Sequence, residues 1–159
     1  MCVARLAIGM ARTWTSLRVV GLDVWGPSLE LARKNIVESG LRDRIELREQ
    51  PGEELSDEGA FDLAWIPAPF VPPHALGRLV EQVHRSLKPG GWLLFAAARS
   101  GEDLRGAALR FRVALYGGAP SSQEDIEKLL ADKGLTDVRT LPGPPRDFKI
   151  IVAGRRARI

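Results

Sequence analysis

Few of the residues that build disulfides, metal centres or nucleophilic triads occur in this chain. One cysteine, Cys2, stands among 159 residues. It excludes an internal disulfide and fits a reducing, cytoplasmic compartment. No apolar run approaches the ~20 residues needed to cross a bilayer as a helix. The apolar stretch from Met1 to Ala11 is interrupted by Arg5, and its helical periodicity runs on to Trp14, so it reads as a helix rather than a signal peptide. Only two histidines are present, His74 and His84, with no Ser-His-Asp or metal-ligand grouping around them. Neither a hydrolytic triad nor a metal is expected. The basic excess is small, +3, and much of it sits in Arg155-Arg156-Ala157-Arg158, which reads as a solvated end. No aromatics interleave with these arginines as a nucleic-acid stacking platform requires, so nucleic acid is not an expected partner, and neither is a membrane. Repeats and low-complexity segments are absent too.

What is there alternates between helix and strand signals. The most informative stretch is Val19-Val20-Gly21-Leu22-Asp23-Val24-Trp25, followed by Gly26-Pro27. A short apolar run bounded by turn signals reads as a buried strand. It ends in an acid, and Pro27 suits the first turn of a helix. An acid at the carboxyl end of a parallel strand stands where open α/β sheets bind ligands, and its carboxylate can accept from both hydroxyls of a ribose. Capping the helix or sitting in a polar turn is the structural alternative for Asp23.

The spacing predicts helices over residues 3–14, 27–38, 74–87, 102–116 and 121–133, and strands over 17–22, 45–48, 61–66, 92–97, 138–141 and 148–153. Ser39-Gly40 and Gly134 supply helix stops. Ile45-Glu46-Leu47-Arg48 alternates, as a strand near a sheet edge does. Pro67-Ala68-Pro69-Phe70-Val71-Pro72-Pro73 cannot continue a ladder, and forms either a rigid surface loop or the rim of a pocket. Alternation of this kind predicts a mostly parallel sheet with helices on both faces. The last two strands, joined by Pro142-Gly143-Pro144-Pro145, have no crossover helix between them and should form an antiparallel hairpin. The length suits one domain, 1–159.

Several segments together resemble the class I S-adenosylmethionine-dependent methyltransferases. Val19 to Asp23 is similar to the family's second strand and Phe61-Asp62-Leu63-Ala64-Trp65 to its fourth. The helix ending in Leu87-Lys88-Pro89-Gly90-Gly91 and running into Trp92-Leu93-Leu94 is the most specific piece. The resemblance implies a Rossmann-like α/β fold, S-adenosyl-L-methionine as cofactor, and Asp23 as the ribose acid. Val24 and Trp25 follow it, with Trp25 placed to pack on the adenine. Gly52 and Glu53 occupy the loop that often carries the adenine-binding acid, although Pro51-Gly52 takes the closest positions. Ile66 and Pro67 close the fourth strand. His74 and Tyr116 are the candidates near a methyl acceptor.

The family's first strand and glycine-rich turn have no counterpart here. Ala4 stands where the last glycine of that turn is expected and Cys2 where another is, so the expected fold is N-terminally truncated. After the fourth strand the sequence is Ile66-Pro67-Ala68-Pro69-Phe70. It lacks the polar first residue used for nucleobase or amide acceptors, which implies a small-molecule acceptor. Methyl transfer is an in-line displacement dominated by positioning, so a catalytic cluster is not required. The alternatives are a non-catalytic methyltransferase-like interaction module and, more weakly, an NAD(P)-dependent oxidoreductase. The final hairpin and the Leu87–Gly91 segment argue against the latter. A homodimer is compatible with either of the first two readings.

Overall fold

The structure, a computed structural model, describes residues 4–98, 102–119, 121–142 and 149–158. Contacts divide the chain into two compact units, Met1–Glu54 and Leu55–Ile159.

The first unit runs α1 (Arg5–Thr13), β1 (Val19–Asp23), α2 (Gly26–Glu38), β2 (Ile45–Glu49) and a single 3-10 turn, Gly52–Glu54. β1 and β2 pair in parallel, from Val19 opposite Ile45 to Asp23 opposite Glu49. Ala11, Ala32, Ile36, Leu41 and Ile45 are buried together, with Ile8, Val19 and Leu47 packed around them. The end of α2 shows why Ser39-Gly40 stops it. The Gly40 amide donates to the Val37 carbonyl at 3.0 Å and the Leu41 amide to the Ile36 carbonyl at 3.2 Å. Gly40 takes φ of 69°, and the buried pair Ile36 and Leu41 closes the motif.

The second unit runs β3 (Phe61–Pro67), a 3-10 turn (Ala68–Phe70), α3 (Pro73–Ser86), β4 (Leu87–Ala98), α4 (Leu104–Leu115), α5 (Gln123–Asp132), β5 (Leu135–Leu141) and β6 (Lys149–Arg156). Its sheet has the order β3-β4-β6-β5. β3 and β4 are parallel, whereas β6 is antiparallel to both β4 and β5. The mixed α/β fold and the antiparallel final hairpin are as expected. Of the hairpin's connecting turn, residues 143–145 lie outside the described residues, as does Phe148. Val80, Leu87, Leu93, Phe95, Ile126, Leu130 and Val152 form the buried centre. α5 is held by a capping box. The Ser122 hydroxyl accepts from the Asp125 amide at 3.0 Å, and the Asp125 carboxylate accepts from the Ser122 amide at 3.2 Å.

The Leu87–Gly91 segment belongs to β4 but leaves the ladder. Phe61 pairs with Leu87 and Leu63 with Trp92, so Lys88 to Gly91 bulge out. Pro89 has no amide to donate there, and Gly90 takes φ of 82°. A Cβ at Gly91 would lie 3.0–3.2 Å from the carbonyl oxygens of Lys88, Phe61 and Asp62, so any other residue would push that backbone apart by a few tenths of an ångström.

Two expectations are corrected. The run of β1 is half-buried rather than fully buried, and Leu63 and Trp65 of β3 are 44% and 40% exposed. Both are edge strands: among the described residues β1 pairs only with β2 and β3 only with β4, which leaves one long edge of each open. The basic C-terminal segment is exposed only at Ala157 and Arg158. Arg155 and Arg156 belong to β6. Arg156 Nη1 donates to the carbonyls of Arg85 (2.7 Å), His84 (3.4 Å) and Leu87, which cap the end of α3. Arg155 and Arg139 both lie over the Trp92 ring, at 5.6 and 5.1 Å from its centroid. Trp92 is therefore half-buried beneath two guanidiniums, whereas Phe95 is wholly buried. Among the described residues no helix is long and apolar enough to cross a membrane.

Candidate functional site

In the first unit the carboxyl ends of β1 and β2 lie side by side. Asp23 ends β1, half-buried, and its Oδ1 accepts from the Trp25 amide at 3.0 Å. That bond turns the carboxylate toward the start of α2 and leaves Oδ2 open to another donor. The Asp23 carbonyl accepts from the Gln50 amide at 3.1 Å, which draws the loop carrying Gly52 and Glu53 up to the end of β1. Gly52 and Glu53 lie half-buried in the 3-10 turn that follows. Val24 and Trp25 are 65% and 51% exposed between strand and helix. An indole so exposed beside a polar strand end offers a flat apolar face to a ligand.

Asp23 is not a side-chain cap of α2. The residue preceding that helix is Trp25, and it makes no side-chain cap hydrogen bond. Among the described residues the Asp23 carboxylate reaches the Trp25 amide alone, two residues on, so it closes a polar turn. Reading the sequence alone passed over Glu49. It is the register partner of Asp23, and its Oε1 comes within 3.6 Å of where a Cβ on Gly26 would lie. A carboxylate there faces the positive end of α2. An acid closing a second parallel strand was the available signal.

The turn before α1 is the other telling point. Ala4 has φ of 63° and ψ of 9°, the left-handed conformation, and precedes the first residue of α1. Its carbonyl accepts from the Ile8 amide at 2.9 Å, the first bond of the helix. An L-residue other than glycine pays for this conformation, so the backbone here has the shape of a glycine turn even though its residue is alanine.

In the second unit Ile66 is buried and Pro67 exposed at the end of β3. The 3-10 turn after them packs against the end of α4. A Cβ at Gly118 would strike the Pro69 carbonyl oxygen, so only glycine admits this approach. The rings of Phe70 and Tyr116 meet at 5.1 Å between centroids, tilted by 39°, and are 45% and 53% exposed. The proline-rich segment is thus a rim braced by an aromatic pair. His74 lies exposed in the first turn of α3, on a different element from Tyr116. His84 is structural: it lies half-buried on α3, where burial and, secondarily, the Arg156 guanidinium push its imidazole pKa below the usual 6.5. Among the described residues no cluster of three or more His, Cys, Asp or Glu is placed to hold a metal ion.

The unit-one residues Asp23, Val24, Trp25, Gly52 and Glu53 therefore share one strand end. In the second unit, Phe70 of the proline-rich rim meets Tyr116. The Asp23 carboxylate, as acceptor for ribose hydroxyls, and the exposed indole fit the ribose and base of an adenosine. The glycine-like turn at Ala4 fits the close backbone approach such a ligand needs at a helix N-terminus.

Comparison with known proteins gives a family match. The family described as methyltransferase domain matches residues 2–91, more than half of the chain. A search of curated proteins returned no significant match. Among solved structures, the S-adenosylmethionine-dependent methyltransferase SibL in its apo form is 27% identical. It superposes with a TM-score of 0.81, over 98% of this chain and 48% of its own. The mitomycin 7-O-methyltransferase MmcR is 25% identical with a TM-score of 0.82, over 98% of this chain and 46% of its own. The [4+2]-cyclase SpnF is 17% identical with a TM-score of 0.78, over 99% of this chain and 73% of its own, a likeness of fold alone. The chain spans about half the length of the first two structures.

Proposed function

This chain belongs to the methyltransferase-domain family, and from that premise we propose that it forms the cofactor-binding domain of an S-adenosylmethionine-dependent methyltransferase acting on a small-molecule acceptor. Its two compact units are taken together as one domain over 1–159, working in the cytoplasm. The observation that carries this reading is the Asp23 carboxylate. It closes a parallel strand, and the Trp25 amide orients it with one oxygen left open.

When bound, S-adenosylmethionine would supply a methyl carbon on a sulfonium, open to in-line attack by the acceptor's lone pair with the C–S bond breaking and S-adenosylhomocysteine leaving as the neutral thioether. The chain's own residues have the task of positioning. Asp23 accepts from the ribose hydroxyls. Trp25 and Val24 cover the base, and the loop of Gly52 and Glu53 borders it. Ile66 and Pro67 take the place of the family's fourth-strand end. Tyr116, stacked on Phe70, belongs to the acceptor side, and His74 is the candidate base for an acceptor that holds a proton at neutral pH. The apolar, proline-rich rim favours a small organic acceptor over a nucleobase.

A fold of this kind does not by itself fix the reaction, for the [4+2]-cyclase SpnF shares it. The test is therefore chemical. Incubation with methyl-tritiated S-adenosylmethionine and a panel of small phenols, amines and carboxylic acids should place label in an extractable small molecule. Label confined to protein or nucleic acid overturns the acceptor class. Binding of NAD(H) without binding of S-adenosylmethionine overturns the cofactor.

A further inference from the structure

Helix α4 presents two apolar faces, and only one is used within its unit. Gly106 and Val113 are buried. Leu104, Ala108, Phe111 and Leu115 lie on the opposite side, within a stripe about 60° wide at 3.6 residues per turn. Their exposure is high: 86% for Leu104, 67% for Phe111 and 68% for Leu115, the three most exposed large apolar side chains among the described residues. Such a seam on a surface helix marks an interaction site.

The margins of the seam say what covers it. On one side lie Arg105 and Arg112, seven residues and so about 10 Å apart along the axis. With Ala108 and Leu109 they line a groove of about 400 Å³. Neither arginine has an ion-pair partner among the described residues, and α4 contains no acid. On the other side lie Ala107 and Ala114, both exposed and small enough to let another backbone come close. A narrow seam suits a helix. A helix lying in a membrane surface shows a wider apolar face with cations on both margins. A second copy packed antiparallel about a two-fold axis would set the arginine margin against itself.

We propose that α4 docks an amphipathic helix of a partner protein whose apolar residues seat on Leu104, Phe111 and Leu115 and whose acidic residues, a heptad apart, pair with Arg105 and Arg112. The acids enter across the groove, and the partner backbone approaches over Ala107 and Ala114. The inference concerns a surface distinct from the strand ends discussed above and stands without the methyltransferase reading.

The probe is a fluorescent three-heptad peptide with leucines along its seam and glutamates on its margins, beside a counterpart with lysines on the margins. Anisotropy titrations at low salt should give micromolar binding of the glutamate peptide and at least about tenfold weaker binding of the lysine peptide. The double variant Arg105→Glu, Arg112→Glu should invert that preference. Phe111→Asp should abolish binding of both. All three positions are exposed, and circular dichroism checks that each variant is folded. Equal affinity for the two peptides, or no binding of either, overturns the proposal. A concentration-dependent dimer that Phe111→Asp dissolves, without peptide binding, assigns the seam to a second copy instead. Sedimentation with phosphatidylglycerol vesicles that Phe111→Asp abolishes, again without peptide binding, assigns it to a membrane.

Discussion

Ala4 illustrates how a single residue can keep a backbone shape that its side chain disfavours. The left-handed region costs an L-residue about 1–2 kcal/mol, and Ala4 occupies it at φ 63°. Glycine would remove that cost while adding about 0.4–1 kcal/mol of unfolded-state entropy. Ala4→Gly should therefore raise stability by about 0.5–1 kcal/mol, the difference of those terms, read as a higher urea midpoint at unchanged slope. A lowered midpoint would mean that the Ala4 methyl, buried in the first unit's core, contributes more than the strain removes. The position was legible in the sequence as the end of a glycine turn. Its conformation was not, because alanine carries no signal for positive φ. Asp23 was legible for the opposite reason: a carboxylate after an apolar strand has few roles. Glu49 was missed because its strand was read as ending at Arg48.

At the scale of elements, the junction of α3 with β4 shows what pattern reading sees and what it omits. The helix period, the Leu87–Gly91 stop and the following apolar run were all in the sequence. The bulge that takes Lys88 to Gly91 out of the ladder was not, because it depends on the carbonyls of Phe61 and Asp62, on a strand distant in sequence. Nor was the use of Arg156 as a cap for α3, since a guanidinium near the chain's end reads as solvated until β6 is placed beside β4.

The same junction sets a pH dependence. His84 is held neutral by burial and by Arg156, so its folded pKa lies below the unfolded value near 6.5. In that window the unfolded chain binds more protons than the folded one, and stability falls as pH drops. His84→Gln should lose less stability than the parent between pH 7.5 and a pH of about 5.5, a window chosen to bracket the unfolded histidine pKa. The check is urea midpoints at the two pH values. An equal loss in both proteins would show that His84 does not carry the effect.

Across the whole molecule, the order of helices and strands and the antiparallel final hairpin follow from periodicity and stops, and family membership follows from the motifs they place. The division of the strands into a two-stranded and a four-stranded sheet did not follow from local pattern. Apolar runs such as Val19 to Leu22 and Leu63 to Ile66 look the same in a central strand and at an edge, because burial depends on which strands lie alongside. Their half-exposed side chains and open edges are properties of assembly rather than of local sequence. The exposed seam of α4 belongs to the same scale, for its leucines and phenylalanine have the period of a core helix.

The end of β1 is proposed to hold an adenosine cofactor through Asp23. Calorimetric titration of the chain and of Asp23→Ala with S-adenosylhomocysteine is the decisive experiment. Hydrogen bonds to a charged group contribute about 1.5–3 kcal/mol, so micromolar binding by the parent should weaken roughly ten- to a hundred-and-fiftyfold in the variant, with the fold intact by circular dichroism. Equal affinities, or no binding by the folded parent chain, would contradict it.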